Sequence, residues 1–167
     1  VSALRAYLEV LVEEKNQHFV AISIIEPQNG VRKYQDFSND YSVLDRSARE
    51  LLERTTQSGT TAIDQGVLAG VQELSAIVDS SSVAVTQGNM LFFVQNKESL
   101  ISDFSEEIVT TIRDSAIKVY GIGLSLESTE FERLVNQDAT IVDGVTELTS
   151  SFRTVATNLV EIYEANY

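Results

Sequence analysis

Met-Leu-Phe-Phe-Val at residues 90–94 is a run of five apolar side chains without polar alternation, closed abruptly by the amides Gln95 and Asn96 and then by Lys97 and Glu98. A strand with one face in water alternates apolar and polar residues, so an unbroken run predicts a strand covered on both faces, as in a parallel sheet layered between helices. Parallel neighbours in turn require helical crossovers.

The remainder of the chain supplies them. Ala3, Leu4, Tyr7, Leu8, Leu11 and Val12 recur at a 3.6-residue period and predict a helix ending near residues 14–16. Residues 18–25, HFVAISII, predict a strand, and the Asn29-Gly30 pair after it favours a tight hairpin into residues 31–38, VRKYQDFS. Val43, Leu44, Ala48, Leu51 and Leu52 mark a second helix, and Ile63, Val67, Val71 and Leu74 a third over residues 62–78. After the 90–94 strand come a helix over 101–116, a strand over 117–124, a short helix over 128–137 and a brief strand near 139–143. A last helix turns Leu148, Phe152, Val155, Leu159 and Ile162 inward. The expected class is α/β: a doubly wound, mostly parallel sheet with one antiparallel edge strand and helices on both faces. At 167 residues the chain is expected to form one domain, spanning residues 1–167 and burying roughly 70% of its unfolded surface.

Charge excludes several partners. Twelve lysines and arginines stand against 25 acids, a net charge of -13, so binding along a phosphate backbone or an anionic membrane is not expected. No apolar run reaches the ~18–20 residues of a membrane span. Without cysteine there are no disulfides or thiolates, and no asparagine begins an N-x-Ser/Thr acceptor. The opening VSALRAYLEV reads as helix rather than signal, and a chain without an initial methionine is expected to be a fragment of a longer protein.

Catalysis has little to build on. His18, the sole histidine, falls at a helix-to-strand junction, where a structural role is expected. GIGLSL at 121–126 lacks the third glycine of a dinucleotide loop, since Leu126 stands there, and its glycines lie within a strand pattern; no phosphate-loop motif is present. Asp103, Glu106 and Glu107 have the spacing of a solvated face that complements a helix dipole. Thr61 followed by Asp64 ahead of an apolar helical run reads as a capping box.

In their order these segments resemble a von Willebrand factor type A domain. The likeness runs through SGTTAIDQGVLAGVQEL at 58–74, MLFFVQNKES at 90–99, in the place of the family's strand ending Thr-Asp-Gly-Glu, and IKVYGIGLSLESTEFERLV at 117–135, similar to the family's Ile-Gly-Val-Gly strand and following helix. The resemblance implies a cation site made by an Asp-x-Ser-x-Ser loop, a threonine and an aspartate. Thr61 matches the threonine, Asn96 stands in place of the aspartate with Gln95 before it, Lys97 replaces a usual glycine, and the Asp-x-Ser-x-Ser motif has no counterpart.

An amide in place of a carboxylate removes charge that magnesium relies on to offset dehydration, so no cofactor, or only weakly bound Mg²⁺, is expected. The implied function is a non-enzymatic adhesion or protein-binding module with a degenerate metal site, using a rim of Thr61, Gln95, Asn96 and the loop after Leu124 to contact a protein ligand or matrix component. The expected location is extracellular. The alternatives are an intracellular scaffold domain of the same fold within a multiprotein complex and, from another class, a hydrolase or nucleotide-using enzyme. The family's central first strand is also absent, which predicts that a strand is supplied either from upstream of Val1 or by a partner chain.

Overall fold

The computed structural model describes residues 1–13, 18–26, 30–52, 62–80, 87–95, 104–126 and 130–166. Its elements are α1 (Ser2–Glu13), β1 (Val20–Glu26), β2 (Gly30–Ser38), α2 (Tyr41–Leu52), α3 (Ile63–Ser80), β3 (Asn89–Val94), α4 (Glu106–Asp114), β4 (Lys118–Leu124), a 3₁₀ turn (Glu130–Leu134), β5 (Ala139–Val142) and α5 (Val145–Asn166). The strands form two sheets rather than the single sheet expected: a β1-β2 hairpin and a parallel β3-β4-β5 sheet. The alternation of elements was legible in the sequence; which strand lies beside which is a tertiary property that local periodicity does not carry.

The chain divides into two compact units. The first comprises Val1–Ile24, Arg32–Ser58 and Gly144–Tyr167. Here α1 packs against α5 and α2, burying Leu8, Leu44 and Ala156 completely, because each helix repeats apolar residues along one stripe. The rings of Tyr7 and Phe152 meet edge to face at 6.3 Å. Polar contacts surround this core. Asp45 on α2 accepts from both Arg5 and Arg49, whose hydrogen bonds, that of Arg49 foremost, hold its carboxyl below the usual range, and Tyr41 donates to Glu9 at 3.1 Å. Burial, followed by the bond to Glu9, raises the Tyr41 phenol. The helix α2 is fastened to β2 by Ser47 Oγ–H donating to Gln35 at 2.7 Å and Tyr34 O–H donating to Glu50 at 3.1 Å.

The second unit, Ile25–Val31 with Gly59–Asp143, is built on the parallel sheet. Val67 and Val71 of α3, Val109 and Ile112 of α4, and Phe131 and Leu134 of the 3₁₀ turn close over Phe92 and Val94 of β3 and Val119 of β4. Two glycines make this fit: a Cβ at Gly121 would lie 2.8 Å from Val135 and 3.1 Å from Phe131, and one at Gly123 2.4 Å from Leu126. The glycines in GIG therefore let the 3₁₀ turn approach the middle of β4, which accounts for the motif without a nucleotide.

Beyond the opposite end of β4, Asn136 forms a polar knot. Its Nδ2 donates to the carbonyls of Ile112 at 3.2 Å and Ile117 at 2.9 Å, while its Oδ1 accepts from Val119 N–H at 2.8 Å. One side chain thus satisfies the end of α4 and the entry to β4 together.

Two elements differ from expectation. The helix expected over 101–116 begins at Glu106, because Phe104 is buried in the core and Ser105 occupies the cap position. The strand expected to be covered on both faces is covered on one: Phe92 and Val94 are buried, whereas Phe93 is 40% exposed.

Candidate functional site

Because β3, β4 and β5 are parallel, their carboxyl ends share one edge of the sheet, and in sheets of this kind that edge is where ligands gather. Gln95 follows β3 directly and is exposed there. Thr61, Asn96 and Lys97 lie outside the described residues, as does Asp103 of the acidic trio. His18 is half-buried just ahead of β1, in the first unit and away from this rim in sequence.

Asp64 opens α3, and its Oδ2 accepts from Ser105 N–H, at the start of α4, over 3.4 Å. One carboxylate therefore lies at the positive ends of two helix dipoles. The expected capping box involves Thr61 and so lies outside the described residues. The Ser105 hydroxyl makes no cap bond of its own.

Glu106 and Glu107 are exposed, as expected of a solvated face, and Glu106 also pairs with Arg133 of the 3₁₀ turn, which reaches Glu130 at 3.4 Å. Hydrogen bonds to Glu106 and then Glu130 raise the guanidinium above its ordinary value. These pairs are partly exposed and contribute little energy individually. Their effect is positional: they tether the start of α4 to the 3₁₀ turn.

Ser125, in the loop after Leu124, adopts φ 54°, a left-handed conformation that costs a non-glycine residue roughly 1–2 kcal/mol. It is held by its N–H donating to Val142 O at 2.8 Å and its hydroxyl donating to Asp143 O at 3.4 Å. Sequence reading named this loop but not Ser125, and missed Arg133 and Asn136. Apart from Glu130 beside Arg133, their partners lie 17 to 27 residues away in the chain, and no local pattern announces such pairings.

The described rim residues do not fit a magnesium ion. Gln95 is neutral, Asp64 is engaged by Ser105 N–H, and Glu106 and Glu130 by Arg133; among the described residues no group of three or more His, Cys, Asp or Glu side chains is placed to hold a metal. No helix of the described residues is long and apolar enough to cross a membrane.

No family model and no curated protein matches the chain. Solved structures do match. A von Willebrand factor type A protein from Catenulispora acidiphila aligns with a TM-score of 0.63 at 15% identity, over 93% of this chain and 36% of its own. The SpRpn10 VWA domain aligns with a TM-score of 0.63 at 9% identity, over 90% of this chain and 78% of its own. At these identities the likeness establishes the fold.

Proposed function

We propose that this chain, which has the fold of a von Willebrand factor type A domain, is a non-enzymatic protein-binding module whose contact surface is the rim at the carboxyl ends of β3 and β4. The reading is supported by one observation: three described acidic side chains near that rim are engaged by the protein's own groups, Asp64 by Ser105 and Glu106 and Glu130 by Arg133. What the rim offers a partner is then the exposed Gln95 amide and the loop around Ser125, completed by Thr61 and Asn96. Recognition by these groups proceeds through hydrogen bonds and shape, with a cation contributing little.

Adhesion to a protein or matrix component outside the cell belongs to this proposal, as does the single doubly wound sheet expected from the sequence, once a further strand is supplied. Two measurements test it. Calorimetric titration with Mg²⁺ and Mn²⁺ is expected to give no saturable heat at micromolar concentration, and a micromolar site refutes the cation-poor reading. A photo-crosslinking side chain at residue 95 is expected to trap a protein partner that the same group at residue 138 does not; equal trapping at both positions removes the rim from the interface.

A further inference from the structure

Met90 carries the only sulfur atom of the chain, which has one methionine and no cysteine. It is the second residue of β3, half-buried and packed at the margin of the apolar core that Val67 and Val71 of α3 share with Phe92. Its thioether fills a particular gap. A Cβ built at Gly70 of α3 would lie 2.8 Å from Met90 Cε and 2.9 Å from Met90 Sδ, so the end of the methionine occupies the notch that a side chain on the helix would otherwise take. The residue that spaces β3 from α3 is thus also partly open to water. An aliphatic side chain there would be inert, whereas a thioether keeps a lone pair that oxidants attack.

We propose that Met90 is an oxidation site for small hydroperoxides, at which one added oxygen unseats the thioether from Gly70 and loosens the contact between α3 and β3. The sulfur lone pair attacks one oxygen of the peroxide; the O–O bond breaks, an S–O bond forms, and the other oxygen leaves as water with the proton of the transferred one. Sulfur loses two electrons and the peroxide gains them. This site lies toward the amino end of β3, away from the rim, and does not depend on the reading given to that rim.

The product is a polar S=O group, and neither place open to it keeps the contact. Left against α3, it faces backbone N–H groups already bonded within the helix, so it is covered without a donor. Swung into water, it leaves the notch at Gly70 unfilled beside the core.

The test treats the intact chain with hydrogen peroxide and follows it by mass spectrometry, urea unfolding and amide hydrogen exchange. The folded protein is expected to take up one oxygen, located at Met90 by peptide mapping. At a fixed urea concentration the oxidised form is expected to unfold with an equilibrium constant about tenfold larger, in line with one polar group covered without a partner. Exchange is expected to quicken in the middle of α3 and to stay unchanged in α5. Met90→Leu conserves the volume, and peroxide is expected to leave its unfolding midpoint where it was. Gly70→Ala places a methyl group in the notch, and this variant is expected to take up oxygen faster and to lose less stability when it does. An oxygen that enters only after unfolding, an oxidised form as stable as the parent, or the same peroxide effect in Met90→Leu overturns the proposal. So does a Gly70→Ala variant that loses as much on oxidation as the parent, since the notch is then not what the thioether holds.

Discussion

β2 and β3 both pair on a single side among the described residues, yet they are made of opposite chemistry. β2 carries Arg32, Lys33 and Asp36, all exposed, with Lys33 bonded to Asp36 at 3.3 Å and standing 5.6 Å over the Phe37 ring. β3 carries amides at its margins and only apolar side chains between them. Any strand added along β2 would strip water from those charges, whereas one added along β3 meets no such cost. Pairing on one side among the described residues is common to both, and the side chains set how much water a neighbour there would displace. The contrast extends to what lies behind each strand: α2 is fastened to β2 by hydroxyl and amide bonds, and β3 rests on a dry apolar face.

The sharpest way to break this comparison is to hollow the apolar face. Phe131 is fully buried, and Phe131→Ala is expected to destabilise the protein by about 3–5 kcal/mol in urea titration, the cavity adding to the lost transfer energy. A loss under about 1 kcal/mol, the level of an ordinary mutation, would mean that the face is not what holds the second unit. Asn136→Ala comes next, at about 1–3 kcal/mol, because Val119 N–H loses its side-chain acceptor and the Ile112 and Ile117 carbonyls are left with Ser115 alone. Removing the guard from β2 by Arg32→Val with Lys33→Val should leave stability within about 0.5 kcal/mol while raising concentration-dependent light scattering. If scattering stays flat, charge is not what keeps that edge apart.

The smallest expected effect is that of Asp45. Its carboxyl is depressed by Arg49 and Arg5, so the folded state binds a proton less readily than the unfolded one. The stabilisation is present above the ordinary carboxylate value of about 4 and is lost as pH falls through the lower folded value. Asp45→Asn should therefore flatten the acid limb of the stability curve below about pH 4 and leave the neutral region almost unchanged. A neutral-pH loss as large as that of Asn136→Ala would show the first unit to depend on this pair more than exposed ions allow.

How far the sequence could be read follows the same physical division. The helices α1, α2 and α3 and all five strands lie close to where periodicity puts them, because an apolar stripe is a local signal. The start of α4 was misplaced because Phe104 fits the helical period while packing as a core residue ahead of the cap. Coverage of β3 was misjudged because an apolar run reports what a strand is made of and not what neighbours it has. At the rim, Gln95 was identified from the abrupt end of an apolar strand, a local feature. The pairing of Arg133 with Glu106 and the left-handed Ser125 depend on chain segments meeting in space, which a single sequence does not encode locally.

Gly121 bears on how this sequence can vary. With Val135 and the Phe92 and Phe131 rings already at the limit of approach, volume can enter the strand there only if it leaves from across the gap. Substitutions at these sites are then expected to be interdependent: Gly121→Ala is harmful alone and becomes tolerable when residue 131 or 135 shrinks in the same molecule.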